Sequence, residues 1–303
     1  MFEKLTLPAF PIGGVYLLEP EYPWAEVERD VRLMAEHGFN LITLWPAANS
    51  WCASQPDDYA FDDTMRFLDL CQQYDLQVLI QLIGQTPSQE FMPDAVLQPD
   101  MRASAPTVLS WPNLNHPAVD AEVQCYFRAC VDAMGEHPAV FGWDVFNEAH
   151  FRSDDPYTVR AYWEWLRDRY GDIETLNRRW LRRYASFDQV DPVDRASFYS
   201  VWSSLLPQVE YEIFRADNLT AICRRWCQYL KALDPTRPVV VDGCSALVLG
   251  SDRALRISPD GTTARVIATG LRNAYLARDP LTGILTASDQ QGNWIPSTPL
   301  LRT

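Results

Sequence analysis

The chain has 303 residues, a formal net charge of −14 and 47% hydrophobic residues. That length fits one large domain, or one domain with a small companion, and the apolar share is ample for a packed core. The acidity argues against nucleic acid and anionic membrane as partners, because both are bound through basic surface, and it suits a neutral ligand.

The predicted elements alternate. Pro11 to Leu17 reads as a first strand, and a helix opens near Trp24 with Val27, Val31, Met34 and Ala35 at helical spacing before Gly38. Asn40 to Trp45 is a second apolar strand. Asp62 or Asp63 is placed to cap a helix that carries Met65, Leu68 and Cys71 on one face. Leu76 to Ile83 is a third strand. The segment from Pro87 to Pro117 is irregular and holds six prolines, a length at which loops are usually functional. Val123, Tyr126, Phe127, Cys130, Val131 and Met134 form the next helical face.

Val140 to Phe146 is the fourth strand. Asp144 alone breaks its apolar run, as expected of a strand covered on both faces in a parallel sheet. Helical sequence follows at Tyr157–Tyr170 and Ile173–Tyr184, then a longer stretch with Leu219, Ile222, Cys223, Trp226, Leu230 and Leu233. Asp234 to Pro238 ends it, and Val239 to Asp242 is a fifth strand. Strands that alternate with helices imply parallel pairing and right-handed crossovers. The expected fold is therefore α/β, of the (β/α)8 TIM-barrel type, with about five of the usual eight strands. A doubly wound sheet is the alternative, but no Gly-rich phosphate loop follows the first strand.

The pattern changes after Asp242. Residues 243–303 hold six Arg, four Asp and neither Lys nor Glu, so the excess negative charge resides in residues 1–242. Short β-like runs with turns replace helices, and Asp260-Gly261 between apolar runs is a hairpin signal. The expected division is a partial barrel over 1–242 and a β-rich tail over 243–303.

Neither CxxC nor HExxH occurs, and the seven Cys form no regular framework, so neither metal nor cofactor is expected. Met1-Phe2-Glu3-Lys4-Leu5 lacks a basic n-region and a long apolar core, so no signal peptide is expected. With no apolar run of membrane-spanning length, reduced thiols in a cytoplasm are the simplest setting.

Residues 12 to 242 resemble the N-terminal barrel of glycoside hydrolase family 42, the β-galactosidase-type enzymes of clan A. The resemblance lies in Tyr16–Pro23, Asp30–Asn40, His137–Glu148, Trp165–Trp180 and Asp234–Val239. The Asn147-Glu148 strand is shared with many clan A families, and the Tyr170-Gly171…Leu176-Asn177…Trp180 segment narrows the match. Two features depart from the pattern. The second strand reads Asn40-Leu41-Ile42-Thr43-Leu44-Trp45 without the usual Arg, and the zinc-binding cysteine cluster of some members is absent. In the tail, Arg256–Gly261, Ala268–Asn273 and Asp289–Pro296 resemble part of a sorbosone/glucose dehydrogenase-like β-propeller. That is roughly one blade where a propeller needs about four to eight, and no dehydrogenase function is carried over.

The resemblance implies a retaining β-galactosidase with Glu148 as general acid/base and Asn147 on the substrate's 2-hydroxyl. Tyr16, Trp45, Gln85, Trp111, Asn113 and His150 fall at or just past strand ends and are expected sugar contacts. Asp144 shares the inward phase of Glu148 but sits deeper, as an anchor of the interior. Retention requires a second carboxyl about 5 Å from the first, and the family supplies it as a Glu at the end of strand seven. Here the last glutamate is Glu212, so the nucleophile is missing on that pattern. Asp242 is the nearest substitute, although a turn or capping role explains it more simply. The readings open at this point are a glycoside hydrolase, a non-catalytic carbohydrate-binding remnant, and a join of two coding sequences near 242–250. Open sheet edges would favour self-association.

Overall fold

The computed structural model describes residues 12–18, 22–45, 53–55, 58–82, 112–146, 149, 151–192 and 206–241. In the tail it describes the strands at 253–257, 264–269, 274–278, 285–289 and 300–302. The chain divides into two compact units, one running from Leu7 to Asp242 and the other including Gly243–Thr303.

Five strands form the parallel sheet of the first unit: β1 (Gly13–Leu17), β2 (Leu41–Trp45), β5 (Gln77–Gln81), β6 (Val140–Asp144) and β7 (Val239–Val240). Their order is β1-β2-β5-β6-β7, and every neighbouring pair is parallel. A small antiparallel pair, β3 (Ala53–Gln55) with β4 (Asp58–Tyr59), lies outside this sheet and was not expected from the sequence. The helices are α1 (Trp24–Glu36), α2 (Asp62–Gln73), α3 (Pro117–Met134), α4 (Pro156–Tyr170), α5 (Ile173–Trp180) and α6 (Leu206–Leu233).

Strands that follow one another without a reversal of order, each joined by a right-handed crossover, keep their helices on one face. A doubly wound sheet needs a switch point, and this order has none. The architecture is therefore a barrel-type arc of five strands. The covered face buries Leu44, Ile80 and Trp143 in register, and Val31, Phe67, Phe127 and Trp226 of the helices are buried as well. Val15 (66% exposed) and Leu17 (46%) lie on the opposite face of the edge strand β1, and Val240 is 38% exposed at the other edge.

Local chemistry sets the helix ends. His116 and Asp155 cap α3 and α4, each followed by a proline at the first helical turn. Neither Asp62 nor Asp63 caps α2. The cap position is Phe61, without a side-chain bond, and both aspartates lie in the first turn, where they complement the helix dipole. Helix α5 stops at Trp180 rather than running to Tyr184. Leu181 takes a left-handed conformation (φ 57°), and Asn177 clasps Tyr184 through both its amide nitrogen (2.7 Å to the carbonyl) and its carbonyl oxygen (2.8 Å from the N–H). Helix α6 begins at Leu206, well before the periodic stretch that announced it.

The second unit contains only strands among its described residues. β8 (Arg253–Ile257) pairs antiparallel with β9 (Ala264–Thr269), across the predicted Asp260-Gly261 turn. β10 (Ala274–Arg278), β11 (Leu285–Asp289) and β12 (Leu300–Arg302) form a separate antiparallel sheet.

Candidate active site

The carboxyl ends of the five strands form one rim. Leu17 is opposite Trp45 in register, and Gln81 is opposite Asp144, which is opposite Val240. In β/α architectures this end carries the chemistry.

Gln81 and Asp144 are polar, buried and joined. The Gln81 Nε2 donates to Asp144 Oδ2 at 3.3 Å, and the two residues are 1% and 3% exposed. Asp144 also holds the exits of two strands. Its Oδ1 accepts the Phe146 N–H (3.3 Å), and its carbonyl accepts the Leu82 N–H just past β5 (2.8 Å). On the other side the Val145 N–H donates to the Val240 carbonyl at 2.9 Å. Phe146 stacks on Trp226 of α6, with ring centroids 6.1 Å apart. The chain therefore reaches residue 147 from a fixed point.

Of the sequence-predicted site residues, Asn147, Glu148, Gln85, Trp111, His150 and Asp242 lie outside the described residues. Trp45 ends β2 on the rim by its register. Tyr16 pairs in register with Leu44, on the helix-covered face. Its ring stacks on Phe67 at 5.1 Å, and its hydroxyl donates to Asp30 of α1 at 3.5 Å. Burial, then the Asp30 charge, push its phenol pKa upward. Tyr16 thus fastens β1 to the helices and does not share a face with Gln81 and Asp144.

Asn113 is fully buried; its side-chain carbonyl accepts the Asn115 N–H (3.2 Å). Its amide is turned toward Asp155 without reaching full hydrogen-bond geometry. Asp155 accepts the N–H groups of Tyr157 (2.7 Å) and Thr158 (3.0 Å), and the Thr158 hydroxyl receives Asn115 Nδ2 (2.9 Å). Burial alone would raise the Asp155 pKa, but the bonds from Ser153 and Thr158, with the Asn113 amide nearby, bring it below the usual value. This cluster ties the loop before α3 to the start of α4.

The Tyr170…Trp180 segment proves architectural. The Trp180 indole donates to the Tyr170 hydroxyl (2.9 Å), and Arg169 pairs with the buried Glu210 of α6 (2.6 Å). Gly171 closes α4 with φ 75°, a conformation that favours glycine. Leu176 and Trp180 are buried with Tyr162, Leu166, Tyr211 and Phe214 in a separate apolar cluster.

Sequence reasoning found Asp144 but missed its partner. The available signal was a second polar residue, Gln81, near the end of an otherwise apolar strand. Among the described residues no group of three or more His, Cys, Asp or Glu is placed to hold a metal, and no helix is long and apolar enough to cross a membrane.

An uninterrupted parallel arc with helices on one face and polar groups at its carboxyl rim defines a β/α-barrel-type chain. The model of glycoside hydrolase family 42, described as beta-galactosidase, matches residues 18–252, and the chain belongs to that family. Among curated relatives, the beta-galactosidase Bga of Halorubrum lacusprofundi is 27% identical over 244 residues, covering 73% of this chain and 33% of the relative. BglY of Alicyclobacillus acidocaldarius is 24% identical over 254 residues, covering 78% of this chain and 36% of the relative. The chain thus spans about a third of the length of these relatives. Among solved structures, the beta-galactosidase of the psychrophile Marinomonas ef1 superposes with a TM-score of 0.62 at 19% identity, over 77% of this chain and 37% of that one. The cold-adapted beta-galactosidase of Rahnella sp. R3 gives 0.63 at 21% identity, over 76% and 35%.

Proposed function

We propose that this chain recognises β-galactosides at the carboxyl rim of its strands, with Glu148 as the general acid/base of a retaining glycoside hydrolase and Asn147 on the 2-hydroxyl. The observation that carries this reading is the family match across 18–252, which includes the strand leading into Asn147-Glu148. In that chemistry Glu148 protonates the leaving oxygen while a second carboxylate attacks the anomeric carbon. The test is turnover of nitrophenyl β-galactoside by the purified chain. Hydrolysis above that of Glu148→Gln is expected, and equal rates would overturn the hydrolase assignment.

A second reading, binding without turnover, rests on the absence of any glutamate after Glu212 in this sequence. Heat of binding to a non-hydrolysable galactoside, with no hydrolysis, would select it. Trp45, Gln85, Trp111 and His150 belong to the proposed sugar-contacting set. Tyr16 and Asn113 enter it only if ligand displaces them from the helices and from Asp155.

The remaining proposals concern context. A cytoplasmic setting draws on the seven Cys, whose spacing forms no regular disulfide framework. Self-association draws on exposed apolar residues of the edge strand β1. The partition into a partial barrel over 1–242 and a tail of propeller-blade ancestry over 243–303 draws on the change in composition after Asp242. Long sequencing reads across 242–250 distinguish a native fusion from an artefactual join.

A further inference from the structure

We propose that Gln81 and Asp144 form a brace that positions the Asn147-Glu148 segment, rather than a pair kept for stability. This rests on the reading of that segment as the glycoside-binding one.

Three observations carry it. First, the pair stands where the exits of β5, β6 and β7 meet. Asp144 accepts from Gln81 and from the N–H of Phe146 through its carboxylate and from the N–H of Leu82 through its carbonyl, while the adjacent Val145 is bound to Val240. Second, the Asp144 Oδ1 bond to the N–H two residues on is the local turn by which an aspartate redirects a chain. The strand ends at Asp144, and this turn closes at Phe146, one residue before position 147. Adjacent residues of a continuing strand would point to opposite faces, so the strand must be broken for Asn147 and Glu148 to serve one site. Third, the pair is a poor choice for stability alone. Among the described residues the buried Gln81 Oε1 meets no hydrogen-bond partner, and Asp144 is an acid at 3% exposure. Two well-packed apolar residues would cost less than an orphaned carbonyl beside a buried acid. The Gln81 amide cannot turn over to relieve this, because its oxygen would then face the Asp144 carboxylate. Asp144 therefore fixes the orientation of Gln81, and Gln81 fixes the carboxylate that holds Phe146.

The test compares Asp144→Ala, which removes the acceptor for the Phe146 N–H, with Asp144→Asn, which keeps an oxygen there and lets Gln81 turn to satisfy its carbonyl. Two readouts on the full chain are needed: calorimetric affinity for isopropyl β-thiogalactoside, and the ¹⁵N amide resonances of Asn147 and Glu148 in the free protein. Asp144→Ala is expected to weaken binding at least tenfold and to shift both resonances while those of α5 stay in place. Asp144→Asn is expected to bind within about threefold of the parent with the resonances near their original positions. Should Asp144→Ala not fold, Gln81→Met removes the other half of the brace, with at least threefold weaker binding and the same resonances shifted. Unchanged affinity and unchanged resonances in the alanine or methionine variant overturn the brace, as does an Asp144→Asn that loses as much as Asp144→Ala. A parent chain with no measurable galactoside binding overturns the functional reading instead, and the resonances alone then decide the brace.

Discussion

Asp234 shows how much one side chain can organise. Its carboxylate accepts the Trp143 indole N–H (2.9 Å), the Thr236 hydroxyl (2.7 Å) and backbone N–H, and the Arg237 N–H (3.2 Å). Burial would raise its pKa, but these bonds prevail and bring it to about 2, below the ordinary value of an aspartate. A folded-state pKa below the unfolded one means stability that is present above the unfolded value and lost as pH falls through the folded one. The contribution is on the order of 2 kcal/mol at neutral pH. Asp234→Ala should therefore lower the melting temperature at pH 7 by several degrees, and the gap from the parent should narrow between pH 4 and about 2. An equal gap at both ends of that window would count against the assignment. Asn177→Ala removes both bonds to Tyr184 and should cost about 1–2 kcal/mol in urea unfolding while leaving any galactoside affinity unchanged. This residue scale was the least legible in the sequence. The Asp234–Pro238 turn and the Tyr170…Trp180 segment could be recognised as motifs, but their work is done by partners far along the chain, such as Trp143 and Glu210. Gln81 escaped notice because a single glutamine in an apolar strand carries no periodic signal.

At the scale of elements the sequence was far more informative, because alternation of period-2 and period-3.6 patterns is a local property. All five parallel strands were expected, and so were buried Val27 and Val31 of α1, Leu68 and Cys71 of α2 and most of the covered face of α3, whereas Phe67 and Leu70 of α2 were not. The misplacements have local causes. α5 is shortened by the Leu181 left-handed turn, and α2 lacks a side-chain cap although two aspartates stand at its start. Close approach between elements was invisible in the sequence. A Cβ on Gly142 of β6 would come within 2.5 Å of the Pro238 carbonyl oxygen and 2.8 Å of its ring, whereas one on Gly14 of β1 would meet only the Phe39 ring at 3.6 Å. Gly142→Ala should consequently destabilise by about 1–3 kcal/mol, since backbone must move to admit the methyl group. Gly14→Ala should be nearly neutral. Paired denaturant titrations read the difference, and equal midpoints would show that β7 yields freely.

At the scale of the molecule, the parallel sheet of the described residues ends at β1 on one side and β7 on the other. Ile12, Val15 and Leu17 are 49%, 66% and 46% exposed along the β1 edge. Edges of this kind recruit further strands unless charge prevents it. Val15→Lys is expected to shift sedimentation toward the smallest species at micromolar concentration with little change in melting temperature. An unchanged distribution would remove β1 from the account of self-association. The same open arc explains why the site could only be read in part. The described rim residues of these strands, Gln81 and Asp144 among them, are encoded before Asp242, whereas Asn147 and Glu148 lie outside the described residues.

The two-residue β7 is clasped from upstream. Arg237 reaches back to the carbonyls of Val140 (2.9 Å) and His137 (3.2 Å), and Lys231 holds the carbonyls of Pro235 (2.7 Å) and Arg237 (2.8 Å). The last described βα repeat is thus locked by bonds drawn from residues 137–240, so its short strand is held in place from the upstream side.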